Sequence, residues 1–341
     1  MMNTRTKSLL RQSRTDVKAR EFPFRSYYGR AVLKPPVWKW EIPAYLFAGG
    51  LSAGSAVLAA GADLTGRPTL RRAGRVSALT ALVAGAYFLV ADLGRPERFH
   101  HMLRVAKPTS PMSVGTWILA VYGPGVGVAA ASELLPAALR RTLPGRLLRL
   151  LSRPAGLSGA VIAPGVASYT AVLLSQTAVP AWHEAHPELP FVFTGSAAAS
   201  AGGLGMVLVP VSEAGPARQF AMLGAAAELA ASRLMEQRLG LVRQAYTTGK
   251  AHRLRQWAQR LTVAGLIGTA VAARRSQAAA VTSGLALLAG SLLQRLGIFE
   301  AGVASTKDPR YVVVPQRQRV ADEQQPASRA AGPSGNEHGS S

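Results

Sequence analysis

The stretch IPAYLFAGGLSAGSAVLAAGA, residues 42–62, carries no charged side chain. A helix crossing the hydrocarbon core of a bilayer needs about 20 consecutive apolar residues. A soluble helix of that length would show a polar stripe instead. Gly50 and Gly54 stand one turn apart inside it, the small-xxx-small spacing that lets a neighbouring helix come close. The run therefore reads as a transmembrane helix.

Outward from it the same pattern recurs. Further spans are predicted over 76–90, 112–135, 155–179, 189–211 and 216–235, then 261–273 and 278–298. The third is interrupted by Gly123-Pro124-Gly125, a break tolerated where neighbours re-satisfy the backbone. The sixth starts at Pro216, a good first-turn residue. A basic amphipathic stretch over 238–260 is expected to lie along the membrane surface. The seventh span is short and must borrow length from it. The fold class is thus all-α, a polytopic membrane bundle of about eight transmembrane helices over 41–303. A basic tail precedes it over 1–40, and a polar, largely disordered tail follows over 304–341.

The net charge of +22 would suggest nucleic acid in a soluble protein. Here Lys and Arg sit in tails and loops, where membrane proteins grip anionic headgroups. Membrane lipid, not nucleic acid, is the expected partner. Of the 39 Lys and Arg residues, 27 fall on the side of the termini and 12 on the other. The positive-inside rule then places both termini in the cytoplasm. The first 40 residues lack an apolar h-region, so no cleavable signal peptide is expected.

The 341 residues include no cysteine. That excludes disulfides, thiolate zinc sites and a Cys-ligated iron–sulfur cluster within this chain. The six histidines, His100, His101, His183, His186, His252 and His338, all fall outside the predicted spans. A b-type haem needs axial histidines inside its helices, so no such cofactor is expected. The group His183, Glu184, His186 and Glu188 has a spacing that a metal would accept, but it precedes or flanks Pro187 in a loop, and no metal is assigned.

Acids near or inside helices remain. Glu41 opens the first span beside Trp38, Trp40 and Tyr45. Asp92 closes the second, Glu133 ends the third, and Glu228 falls well inside the sixth. Intramembrane acids are functional candidates by default. Glu228 and Glu133 are candidates for proton transfer. Each residue also has a structural reading. Trp38 and Trp40 can be interfacial anchors, Asp92 can pair with Arg95, Glu228 can pair with Ser232, and Glu133 can be interfacial. Tyr169, midway along the fourth span, can reach a carbonyl oxygen or a neighbouring helix.

Several stretches together resemble a known family. They are Trp38-x-Trp40, the run from Tyr45 to Gly54, Asp92-Leu93-Gly94-Arg95-Pro96-Glu97-Arg98-Phe99, and Lys107-Pro108-Thr109-Ser110-Pro111-Met112-Ser113. Tyr169 to Leu174, Pro180-Ala181-Trp182, Glu300-Ala301-Gly302 and Asp308-Pro309 complete the pattern, from Val37 to Val320. The protein resembles the NrfD/PsrC family, the membrane subunits of polysulfide reductase and related molybdoenzymes. The resemblance implies an eight-helix bundle without a bound cofactor of its own. It would exchange menaquinone or ubiquinone near the face where a 4Fe-4S ferredoxin-like subunit docks. That subunit would relay electrons to or from a molybdopterin catalytic subunit, so this chain would not act on the terminal substrate itself. The family's first helix offers an amide and an imidazole where this chain has Ile42 and Tyr45, and Glu41 is taken as their substitute.

Quinone exchange moves two electrons and two protons. It needs an apolar cleft, donors for the carbonyl oxygens and a nearby acid. Trp38, Trp40, Glu41, Tyr45, Asp92, Arg95 and Tyr169 are the expected quinone-binding set. The docking face lies outside the cytoplasm on the polysulfide reductase pattern and inside it by charge. Two other readings stand beside this one. A secondary transporter or proton-translocating subunit would use Glu228, Asp92 and Glu133 as a path, although no internal repeat is visible. A purely structural anchor would have lost its quinone cleft.

Overall fold

The computed structural model describes residues 33–315 and residue 317. Most of the two predicted tails lies outside these residues. Among the described residues eight helices of at least 20 residues follow one another, and no strand occurs. They are α1 Glu41–Leu64, α2 Pro68–Ala91, α3 Pro111–Leu134, α4 Leu143–Ser175, α5 Leu189–Leu208, α6 Gly215–Arg238, α7 Gly249–Val271 and α8 Gln277–Lys307. The protein is a polytopic membrane helix bundle.

Proline sets several of the starts. It stands in the first turn of α2, α3, α4, α5 and α6, where its missing N–H has no partner to lose. The α1–α2 turn rests on Gly66 at φ 67°, a backbone region that glycine enters without a steric penalty.

Successive helices alternate in direction, and ties between loops fix the two ends. At the near end, Arg238 closing α6 meets Glu188 at 2.6 Å, Tyr246 Oη donates to Ala181 O at 2.7 Å, and Lys250 meets Glu300 at 2.6 Å. At the far end, Thr69 Oγ1 donates to Glu213 at 2.8 Å and Val211 N donates to Gln277 Oε1 at 3.0 Å. The near end carries the starts of α1, α3, α5 and α7.

Helices α1–α4 and α5–α8 form two halves, joined where α1 and α4 pack on α5. Small residues let the backbones touch. A Cβ added at Gly54 would lie 2.5 Å from Ala197 O, which is the close approach that its spacing with Gly50 predicts. Within the second half, one at Gly202 would lie 2.5 Å from Ala221 N and one at Gly203 2.8 Å from Gly284 O. Towards the far end the halves share a core of alanine with Leu58 of α1, Leu70 of α2, Met206 of α5 and Leu287 of α8.

Among the described residues six helices are long and apolar enough to cross a membrane by length and composition; α6 and α7 are not among them. They nevertheless run between the same two ends, and the charges that lower their hydropathy include the buried Glu228 and Arg255.

Three sequence expectations are corrected. Gly123-Pro124-Gly125 does not interrupt α3; a Cβ at Gly125 would lie 2.9 Å from Ala155 O, so the motif serves close packing on α4. Helix α4 starts at Leu143, not 155. At about 1.5 Å per residue it exceeds the roughly 30 Å hydrocarbon core, which leaves its arginine-bearing first turns beyond the apolar layer. The stretch 238–260 is not one surface helix. Its second part is the start of α7, and Arg255 turns inward to meet Glu236 at 2.6 Å and to lie over the Tyr246 ring at 5.1 Å.

The segment from Pro35 to Thr306 is one compact unit. In the segment that follows, Arg310 bonds Asp308 at 2.8 Å.

Candidate functional site

The residues singled out for quinone binding fall into three neighbourhoods at the near end. The first surrounds the start of α1. Trp40 is exposed and meets the edge of Phe88 at 5.7 Å. Glu41 Oε2 is buried without a hydrogen-bond partner among the described residues. Asp92, capping α2, receives the backbone N–H of Lys39 and lies close to Glu41. Burial raises the Asp92 carboxyl above its usual range, the Lys39 bond opposes this, and the Glu41 charge adds to it. Arg95 is exposed, and no ion pair joins it to Asp92 among the described residues. The Lys39 amide performs the loop-fixing role expected of Arg95.

Below this pair an apolar groove of about 640 Å³ runs between the halves, lined by Ala44, Phe47, Leu51, Phe88, Leu204 and Leu292 among others. Tyr45, on the buried side of α1, is 4% exposed, with its ring 3.6 Å from where a Gly85 Cβ would stand.

The second neighbourhood joins α3 and α4. The Tyr169 ring is pressed on Gly115, where any Cβ would overlap it. Ser113 Oγ donates to Val105 O at 2.6 Å and accepts from Lys107 N at 3.0 Å. Trp117 Nε1 also donates to Val105 O, at 3.1 Å. These bonds fold the Lys107-Pro108 loop over a second apolar groove, about 630 Å³, lined by Val114, Trp117, Ile118 and Ile162. Both grooves fall within the usual size range of small-molecule sites.

The third is Trp38, stacked on Trp182 with centroids 5.8 Å apart. Trp182 is fully buried and donates to Ile298 O at 2.9 Å. Trp38 thus fastens the segment before α1 to the second half, and Gly302 is needed because a Cβ there would occupy the indole.

The two proton-transfer candidates lie apart. Glu133 is at the far end, 3.0 Å from Arg75 and 2.8 Å from Arg71. Asp63 shares both cations and also approaches Arg153 at 3.4 Å. Glu228 is 3% exposed, with one carboxylate oxygen that has no partner among the described residues. Its neighbours are Arg295, Arg255 and Ser196. Ser232 does not serve it as expected from sequence; that hydroxyl accepts from Gln294 Nε2 at 3.2 Å.

Arg295 is a site residue that the sequence reading does not single out. It is 1% exposed, donates to Phe193 O at 2.7 Å and sits 3.6 Å over the Phe193 ring. Its position inside the predicted 278–298 span is the available signal, since a cation there is costly without a partner.

The His183–Glu188 group is spent on loop structure. His183 Nδ1 bonds Ser175 O at 3.0 Å and His186 Nδ1 bonds His183 O at 3.0 Å. Arg238 bridges Glu188 and the Glu184 carbonyl, which holds the Glu188 carboxyl below its usual range.

The family model described as "Polysulphide reductase, NrfD" matches residues 31–227. A polysulfide reductase polypeptide of Wolinella succinogenes is 31% identical over 152 residues, 41% of this protein and 48% of that one. A selenate reductase polypeptide of Mesobacillus selenatarsenatis is 36% identical over 88 residues, 25% of this protein and 20% of that one. The matches therefore span half or less of these relatives. The sequence resemblance beyond residue 227 lies outside the family match.

Proposed function

The protein belongs to the NrfD family, and we propose from this that it is the membrane subunit of a reductase complex, exchanging electrons between a quinone and an iron–sulfur partner. The relatives' names, polysulfide reductase and selenate reductase, support a place beside a catalytic subunit. On this reading a molybdopterin enzyme holds the substrate and a 4Fe-4S ferredoxin-like subunit links it to the near end.

One observation carries the quinone assignment. A buried carboxylate oxygen of Glu41, without a partner among the described residues, stands beside Asp92 at the head of an apolar groove. Burying such an oxygen without a hydrogen bond is unfavourable, so the position suits a ligand that offers a proton or a hydroxyl. A quinol headgroup does so, and its isoprenoid tail matches the apolar lining running down from Ala44 and Phe88. Glu41 would take the first proton, and Asp92, itself held above its usual range, would pass it to water at the near face. Tyr45 lies one turn along α1 and would orient the ring from within. Tyr169 packs on Gly115 of α3, next to Val114 of the α3–α4 groove, which gives a second path for an apolar tail.

The start of α1 and the end of α8 lie at the near end, and most Lys and Arg residues fall on that side of the sequence topology. By the positive-inside rule this end faces the cytoplasm, and the partner subunits would dock there.

The test is binding of a menaquinone analogue to the purified complex, followed by quenching of tryptophan fluorescence; exposed Trp40 is the natural reporter. Saturable binding, weakened by Glu41→Gln, is expected. Weakening by Tyr169→Phe alone would move the headgroup to the α3–α4 groove. Absence of saturable binding in folded complex would leave a structural anchor as the reading.

A further inference from the structure

The second half of the bundle contains a polar cavity that the quinone reading does not use. Its volume is about 230 Å³, room for several waters at about 30 Å³ each. Helix α6 gives it Glu228, Ser232, Arg233 and Glu236, the segment before α7 gives Arg243 and Tyr246, and α7 gives His252 and Arg255; Gln294 of α8 closes the side. The outer members, Arg243 and His252, are at the near end, where α6 finishes and α7 starts. The innermost is Glu228, ten residues or about 15 Å along α6 from Arg238.

Two buried side chains there each leave one polar atom without a partner among the described residues. Glu228, 3% exposed, has a free Oε2, and Arg255, 7% exposed, has a free Nε. Buried polar atoms of this kind are ordinarily satisfied by ordered water when the site is polar and large enough. Arg295, beside Glu228, supplies the compensating charge from α8.

Beyond Glu228 the route is shut. The α6 backbone at Gly224 touches Ala199 of α5, and Gly202 allows α5 to touch Ala221. Ala217, Ala221, Ala225 and Met206 then fill the interior, all fully buried.

We propose that this cavity is a one-sided aqueous vestibule that lets Glu228 exchange protons with the near face of the membrane. In the step, the Glu228 carboxylate takes a proton from a hydronium in the vestibule water and returns it by the same route. Only O–H bonds form and break, and no electron moves. The nearby Arg295 guanidinium offsets the charge of the ionised carboxylate. The proposal stands independently of the quinone site.

The absence of cysteine makes a direct test simple. Single cysteines are placed at Gln256→Cys at the mouth, Ser232→Cys in the wall and Ser200→Cys in the sealed half. They are treated with a charged, membrane-impermeant thiosulfonate from either side of sealed membrane vesicles. Gln256→Cys and Ser232→Cys are expected to react from one shared face, and Ser200→Cys from neither. Inertness of Ser232→Cys while Gln256→Cys reacts, or reaction from the opposite face, would overturn the vestibule. The proton step is read by infrared titration of the full-length protein. A carboxyl band should appear and disappear with pH in wild type and be missing in Glu228→Gln. Titration spectra identical in the two would overturn Glu228 as the exchanging group. Failure of quinone-analogue binding would leave both outcomes unchanged.

Discussion

Replacing Gly54 by alanine adds one methyl to α1 at the seam between the two halves. In the present geometry that methyl would lie 2.5 Å from Ala197 O and 2.7 Å from Ala201 Cβ. Favourable carbon contacts lie near 3.5–4.0 Å, so the helices would have to part by roughly 1 Å. Neither obstacle is the tip of a flexible side chain. Overpacking of this kind costs about 1–3 kcal/mol. Against it stands the helix propensity gained when alanine replaces glycine, about 1 kcal/mol. Gly61→Ala in the same helix isolates the second effect, because a Cβ there meets nothing within 4 Å. The propensity gain is common to both variants, so their difference reports the seam alone. Gly61→Ala should be neutral or stabilised, and Gly54→Ala less stable than Gly61→Ala by about 1–3 kcal/mol. Equilibrium unfolding in mixed micelles, followed by tryptophan fluorescence, measures both. A difference below about 0.5 kcal/mol, the scatter of inconsequential surface changes, would refute direct backbone contact between α1 and α5.

Two further outcomes follow from the charges. Arg75→Met, at a side chain 7% exposed, strips Glu133 and Asp63 of their buried cation; with Arg71 still present the loss should fall below the roughly 3–5 kcal/mol of a fully broken buried pair, and Arg75→Met with Glu133→Leu should recover part of it in the same unfolding assay. Glu188, held below its usual range by Arg238, stabilises the fold above the unfolded carboxyl pKa of about 4.3 and loses that contribution as pH falls through the lower folded value; thermal unfolding against pH should show this acid limb flattened in Glu188→Gln.

The helices that sequence places well are those whose charge-free runs have no competing explanation. Residues 42–62 form α1 almost unchanged because nothing in them prefers water. Composition fails where a charge is satisfied by a distant partner. Arg255 looks like part of a surface stretch, and only the fold brings it to Glu236 and Tyr246. Arg146, Arg149 and Arg153 likewise conceal the start of α4, which continues beyond the apolar layer as a helix. The motif residues are legible as a set, but their grouping is not. Trp38 and Trp40 are two residues apart, yet one stacks on Trp182 in the α4–α5 connection and the other meets Phe88 of α2. Tyr45 and Tyr169 sit against different glycines, Gly85 and Gly115. Such divisions depend on which helices become neighbours, and a one-dimensional pattern holds no record of that.

The two proposed proton routes open on the same face. Glu41 and Asp92 lie at the head of the first half, and the vestibule mouth lies at the head of the second, where α6 ends and α7 starts. The opposite face presents the Asp63, Arg71, Arg75 and Glu133 network and the alanine-filled interior of α5 and α6. A subunit that takes protons and electrons from the same side moves no net charge across the membrane by these routes. Separating the charges would require the α5–α6 seal to open between Glu228 and the far end. That seal is backbone against backbone at Gly202 and Gly224, so opening it means moving whole helices, not turning a side chain. Coupling of redox chemistry to charge translocation in this protein would therefore have to act through a displacement of α5 against α6, and a cysteine at Ser200 would become reactive only while such a displacement lasts.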